Sequence, residues 1–205
     1  MTESGRRRPR ESYADRRARR AGIDDPEVVL AAALRYLEAR ARSIGETRRR
    51  LTDAGYRAEL IDGTIDRLVG LGLLDDAAFA RHWVESRDRA RPRGETALKR
   101  ELRLRGVEPE IVDGVLESRR GGWMPPRLRE PAEGGLEEAA LDPDEAAAHR
   151  LLDRRRRDLD RIDDPRKRRQ RAYALLARNG FAPDVASRVS AAVAAGDDTG
   201  SDDRG

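Results

Sequence analysis

The sequence predicts an all-α protein: an elongated tandem array of three three-helix repeats, with flexible tails at both ends and a flexible linker before the third repeat. Three observations lead there. Apolar residues recur at helical spacing and no stretch alternates as a strand would. One glycine-centred turn stands three times along the chain, and the strongly apolar residues are confined to two blocks.

Leu, Ile, Val and Phe account for 39 of 205 residues, a level at which a highly charged chain borders on disorder. Their distribution resolves the question. Segments 1–25, 119–142 and 195–205 hold only Ile23, Leu128, Leu136 and Leu141, which leaves 35 for residues 26–118 and 143–194. Because 43 basic residues face 39 acidic ones, no large net charge opposes folding of those two blocks.

The helices follow from periodicity and punctuation. From Pro26, the residues Leu30, Leu34, Leu37 and Ala41 fall on one helical face, and Ile61, Ile65, Leu68 and Val69 do so further on. Asp25-Pro26, Asp142-Pro143 and Asp164-Pro165 each place a capping carboxylate before a proline at the first helical position, and Ser43 with Glu46 has the form of a capping box. Gly55, Gly72, Gly106 and Gly180 supply the stops.

The turn recurs as Leu51-Thr-Asp-Ala-Gly55-Tyr56, as Leu102-Arg-Leu-Arg-Gly106-Val107 at an offset of 51, and as Leu176-Ala-Arg-Asn-Gly180-Phe181 at a further offset of 74. Each copy continues with an acid (Glu59, Glu110, Asp184) and then apolar residues. The unit is a helix ending at Gly, a turn whose apolar residue plugs into the core, and a second helix opening with an acid at its positive end. A helix upstream of each copy, at 26–42, 76–90 and 143–161, completes three modules. None buries enough apolar surface to be secure alone.

The boundaries are therefore an Arg-rich tail at 1–25, repeats at 26–73, 74–118 and 143–194, a linker at 119–142 and an acidic tail at 195–205. Gly121-Gly122, Pro125-Pro126 and Gly134-Gly135 break any regular structure in the linker. Its length leaves the third repeat free to sit apart from the others or to move independently. Trp123 within it either docks on a module or stays in solvent.

Composition narrows the chemistry. Without cysteine there is no disulfide framework, zinc ribbon or thiol nucleophile, and a cytoplasmic location is expected. No apolar run reaches membrane-spanning length, and the first 20 residues lack the apolar segment of a secretory signal. His82 and His149 stand in different modules without ligands at metal-binding spacing, and no Walker loop, dinucleotide fingerprint or nucleophile elbow occurs. Asp75-Asp76, the one paired-carboxylate candidate, reads as a cap. The expectation is a protein without catalysis, cofactor or metal.

Charge is segregated. Residues 81–105 carry nine basic against four acidic residues and 146–171 carry eleven against five, whereas 131–145 hold six acids and no base. Only Lys99 and Lys167 are lysines, leaving 41 arginines. Arginine suits bidentate phosphate or carboxylate recognition, but GC-rich coding also inflates it. Likewise, Arg87, Arg91, Arg100, Arg103 and Arg105 form either a stripe that tracks a phosphate backbone or a solvated face with pairs such as Glu101 and Arg105.

Residues 73–87 carry a more specific pattern. Leu73-Leu74-Asp75-Asp76-Ala77-Ala78-Phe79-Ala80, continuing through Trp83 to Ser86-Arg87, then Arg93-Gly94, Glu101-Leu102 and Arg105-Gly106-Val107, resembles the RecX family of recombination regulators. Upstream, Ala33-Leu34-Arg35-Tyr36-Leu37, Ser43, Arg50-Leu51 and Gly55-Tyr56 are similar to the family's first repeat, while 143–194 retain only Leu176, Gly180-Phe181 and Val185. The tail 1–24 lies outside the pattern and either adds nonspecific DNA affinity or is solvated without a role.

The resemblance implies a non-catalytic helical protein that binds the RecA filament on single-stranded DNA and modulates, chiefly inhibits, RecA's ATPase, strand exchange and co-protease activities. Such a protein belongs to the regulation of DNA repair and the SOS response. Within the motif, Leu74, Asp75, Asp76, Phe79, Trp83, Leu102 and Gly106 are the structural positions: Asp76 is expected to cap its helix, and Phe79 and Trp83 to lie on the buried face. The contact candidates for RecA or DNA are Arg87, Arg91, Arg93, Lys99, Arg100, Arg103 and Arg105, joined by 154–157 (Arg154, Arg155) and 166–171 (Arg168). Weak direct DNA binding, a monomeric state and no membrane partner complete the expectation.

Two rivals remain. A free-standing DNA-binding protein would use helix–turn–helix pairs at Gly55-Tyr56 or Gly106-Val107, although Glu108, Glu110, Asp113 and Glu117 would repel DNA. An adaptor repeat would bind another protein without affecting RecA.

Overall fold

The computed structural model describes residues 12–121 and 142–195. The expected tails and linker therefore lie, for 1–11, 122–141 and 196–205, outside the described residues, as does Trp123. Among the described residues every regular element is a helix, and the chain divides into two compact units at Phe79/Ala80.

The first unit holds α1 (Tyr13–Ala21), α2 (Pro26–Leu37), α3 (Ile44–Ala54), α4 (Ala58–Gly70) and the opening of α5 (Asp76–Ala90). The expected caps form: Asp25 accepts from the Glu27 N–H, and Ser43 and Glu46 make a reciprocal capping box. Gly55 ends α3 at φ 99°, in the left-handed region. The core comprises Val29, Leu30, Ala33, Leu51, Ile61, Ile65, Leu68 and Leu74. Its phase differs slightly from the periodicity, since α2 ends before Ala41 and Leu34 and Val69 are exposed. Ala33 is wholly buried on α2, which packs on α4, and Leu34, the next residue, is turned about 100° round the helix from it.

Helix α1 departs from the expected tail. It buries no residue, so apolar periodicity was blind to it. A capping box between Ser12 and Asp15 starts it. The Tyr13 hydroxyl then donates to the Asp53 carbonyl at 2.7 Å and the Arg20 guanidinium to that of Ala54 at 3.4 Å, satisfying carbonyls that α3 leaves free at its end. A Cβ on Gly55 would stand 2.5 Å from the Arg17 side chain, so the turn glycine makes room for α1.

The second unit contains the rest of α5, then α6 (Glu95–Leu104), α7 (Pro109–Arg120), α8 (Pro143–Asp153), α9 (Arg156–Asp160), α10 (Pro165–Arg178) and α11 (Pro183–Ala195). The upstream helix expected at 143–161 is broken at Arg154-Arg155. Val84, Leu98, Leu102, Val112 and Leu116 are buried in the first part. Ala147, Ala148, Leu152, Leu159, Ala172, Leu176, Phe181, Val185, Ala186 and Val189 form the core of the second. The turn residues behave as the repeat predicts: Val107 and Phe181 are buried, and their N–H groups donate to Leu102 and Leu176 five residues back.

Far from sitting apart, α8–α11 are docked on α5–α7. Arg119, only 6% exposed, makes a two-point contact with Asp88 of α5 at 2.9 and 3.1 Å and donates to Asp144 of α8 at 2.7 Å. The other Asp144 oxygen accepts the Glu95 N–H at 3.0 Å, capping α6. Arg154 donates to the carbonyls of Ala90 and Arg89 at 2.5 and 2.6 Å, closing the end of α5. The Gly94 N–H donates to the Asn179 carbonyl at 3.0 Å, and a Cβ on Gly94 would stand 2.3 Å from the Gly180 carbonyl oxygen.

Two stability outcomes follow from this joint. Gly94→Ala forces the α6 and α10–α11 backbones apart and should cost about 1–3 kcal/mol, whereas Gly114→Ala, in the interior of α7 with open space around its Cβ, should stabilise by about 0.5–1 kcal/mol. Arg119→Met strands the buried Asp144 carboxylate and takes the two-point partner from half-buried Asp88, and should cost about 3–5 kcal/mol. Urea unfolding of the purified variants measures all three.

Candidate functional site

The motif at 73–87 opens α5. Asp75, not Asp76, is the cap: its carboxylate accepts the Ala78 N–H at 2.9 Å. Asp76 is buried and accepts the Ile44 N–H at 2.8 Å, so it caps α3, a different helix from the one expected. Two adjacent acids thus serve two helices, which sequence spacing cannot show. Leu74 and Phe79 are buried as expected, Leu102 is fully buried, and Gly106 takes φ 81° at the end of the turn.

Trp83 is only half-buried and belongs to a polar cluster instead of the core. Its indole N–H donates to Glu101 at 2.9 Å, and the guanidiniums of Arg105 and Arg87 lie 3.6 and 4.2 Å from its ring centroid. Arg87 also donates its Nε to Glu101 at 2.6 Å, and Arg93 approaches the same carboxylate at 3.5 Å while reaching Asn179. Glu101 thus accepts from Trp83 and Arg87 of α5, and Arg105 stands over the Trp83 ring. The side chains of Arg87, Arg93 and Arg105 are therefore engaged within the protein.

Lys99 is engaged as well, held between Glu95 at 3.1 Å and Asp113 at 3.0 Å. Hydrogen bonds to Asp113 and Glu95 raise its pKa. Burial works against ionisation of Glu95, but hydrogen bonds from Lys99 and Arg120 prevail and hold its carboxyl below the ordinary value. Farther along, Arg155 faces Asp158 at 3.7 Å, and Arg168 is 7% exposed with its Nε donating to the Ile162 carbonyl at 3.0 Å. Arg168 is thus a buried strut, not a contact residue. It lies on the same helical face as Ala172 and Leu176, four and eight residues on.

What remains outward is narrower than the candidate set. Arg91 follows the end of α5 and is exposed. On α6, Thr96, Arg100, Arg103 and Leu104 face away from buried Leu98 and Leu102 and, with Lys99, line a shallow depression. In the stretch 166–171, Arg166, Lys167, Arg169 and Arg171 are exposed around buried Arg168. The exposed Tyr173 beside them was not among the sequence candidates for contact, which were all cationic. Among the described residues, no group of three or more metal-ligating side chains is assembled and no helix is long and apolar enough to cross a membrane.

Comparison with known proteins matches this architecture module by module. The chain fits the first three-helix domain of RecX over residues 30–68, the second over 75–116 and the third over 143–189, which fall on α2–α4, α5–α7 and α8–α11, with α1 ahead of the first. The regulatory protein RecX of Mycolicibacterium vanbaalenii is 37% identical over 130 residues, 63% of this chain and 71% of that protein. That of Mycobacterium avium is 31% identical over 163 residues, 80% and 83% of the two. Among solved structures, RecX from Lactobacillus salivarius superposes with a TM-score of 0.65 at 18% identity, covering 83% of this chain and 97% of the other. A second RecX crystal structure gives 0.59 at 19% identity, covering 87% and 73%; both support the fold. With all three domains present, in order and on the helices that build them, the chain belongs to the RecX family of regulatory proteins.

Proposed function

We propose that this protein is a non-catalytic, monomeric regulator in the cytoplasm that binds the RecA filament on single-stranded DNA and inhibits RecA's ATPase, strand-exchange and co-protease activities, with the blocks 26–73, 74–118 and 143–194 as its repeats. Membership of the RecX family supports the role. The observation that carries the contact assignment is the outward pair Arg100 and Arg103 on α6, which among the described residues make no ion pair, with Arg91 nearby in sequence. Arginines that fold the protein are already bonded within it; these are left for a polyanionic or acidic surface. A free-standing helix–turn–helix reading fares worse, because the helix after the Gly106 turn presents exposed Glu108, Glu110, Asp113 and Glu117.

The test is a titration of single-stranded-DNA-dependent RecA ATPase with the full chain. The wild type should inhibit. Arg100→Glu with Arg103→Glu should raise the half-inhibitory concentration by about tenfold or more, equivalent to about 1.4 kcal/mol, at unchanged helicity. Arg105→Glu is avoided as a probe because it would also remove a cation from Trp83. Absence of inhibition by the wild type would reject the filament reading, and an undiminished effect of the double variant would reject the α6 contact.

A further inference from the structure

Helix α10 differs from every other cationic stretch in the described residues. It carries six cations (Arg166, Lys167, Arg168, Arg169, Arg171 and Arg178) and no acid. Arg168 is consumed by the fold. The other five are exposed and, among the described residues, make no ion pair. Their neighbours do pair: Arg155, Arg156 and Arg161 face Asp158 or Asp160, and Arg188 faces Asp184 and Glu145. The Asp164 carboxylate is spent on the N–H groups of Arg166 and Lys167.

Two of the five, Arg166 and Lys167, stand in the first turn of the helix, where the aligned peptide dipoles disfavour positive charge. Folding gives no reason to put them there; a polyanion does.

The face has a second chemical feature. Arg166, Arg169, Gln170 and Tyr173 share one side of α10 and, with Ser187 and Ser190 of α11, line a shallow depression. Tyr173 is 38% exposed at its margin. From Arg166 to Tyr173 the helix rises about 10 Å, the scale of a nucleotide step or two. Cations that track phosphates next to an open aromatic ring are the elements of a single-strand platform, since an unpaired base has a free face to stack. An acidic peptide would pair with the cations but leave the ring unused, and a duplex would offer no free base.

We propose that the α10–α11 face of the third repeat binds single-stranded nucleic acid directly, with Arg166 and Arg169 on phosphates and Tyr173 stacked on a base. The site deepens the filament reading and rests on it for the biological identity of the strand, but its binding step needs no RecA.

The test is fluorescence anisotropy of a labelled thirty-nucleotide oligo-dT with the full chain alone, over a salt series, beside an abasic strand of the same length, a duplex and poly-glutamate. The wild type should bind oligo-dT more tightly than the other three. Arg166→Glu with Arg169→Glu should weaken binding at least about tenfold and flatten the salt slope by about 1.4, two phosphates' worth. Tyr173→Ala should lose about five- to a hundredfold on oligo-dT and little on the abasic strand, with Tyr173→Phe retaining wild-type affinity. Circular dichroism checks that each variant is folded.

Equal wild-type affinity for oligo-dT and the abasic strand, preference for duplex or poly-glutamate, or insensitivity to either α10 variant would overturn the site. RecA ATPase inhibition by a wild type that fails to bind oligo-dT would overturn it while leaving the filament reading intact. Oligo-dT binding without inhibition would do the reverse.

Discussion

A guanidinium withdrawn from water must be neutralised where it lies, and in the second unit that requirement fixes the architecture. Arg119 of α7 meets Asp88 of α5 and Asp144 of α8, and Asp144 in turn caps α6 through Glu95. Four helices from two modules therefore converge on one ionic group. Burial pushes the Asp144 carboxyl above its ordinary range, while the Arg119 hydrogen bond and the Glu95 N–H pull it back. A buried pair of this kind adds little net stability over well-packed apolar groups; it disfavours any arrangement that leaves a charge unpaired. The position of α10 beside the first part of the unit depends on that choice.

The Asp144 cap is also half of a repeated device. Asp76 accepts the N–H of Ile44, the first residue of α3, and Asp144 accepts that of Glu95, the first residue of α6. Ile44 and Glu95 are separated by the same 51 residues as the first two turn copies. In both cases an acid near the start of one module's first helix satisfies the start of the preceding module's second helix. The turn glycines complement it: Gly55 leaves room for α1 and Gly180 for α6, each by lacking a side chain where another helix arrives. Thin three-helix cores are thus supplemented at their ends by backbone contacts with a neighbouring helix.

This construction sorts the arginines into two populations. One is structural: Arg119 at the joint, Arg154 on the end of α5, Arg168 on Ile162, and Arg87 and Arg105 on Trp83. The other is exposed and, among the described residues, without an ion pair, on the outer face of α6 and along α10. The two are chemically identical side chains distinguished only by what stands within reach. A net charge of +4 over the chain therefore understates the positive field at α10 and overstates it around Glu95 and Glu101.

Much was legible in the residues themselves because it depends on local backbone chemistry. The helical class, the Asp–Pro starts, the capping box at Ser43, the left-handed glycines and the three-copy turn are each decided within a few residues of chain, and the structure bears them out. What the tertiary structure alone decided is where side chains end when partners come from afar. It turned α1 from an arginine-rich tail into a helix bonded to the end of α3, sent the Asp76 carboxylate to α3, docked α8–α11 on α5–α7, and placed Arg168 inside and Tyr173 outside. Caps and turns are short-range and leave their pattern in sequence; ion pairing and burial are set by distances through space, which a linear order of charges does not contain.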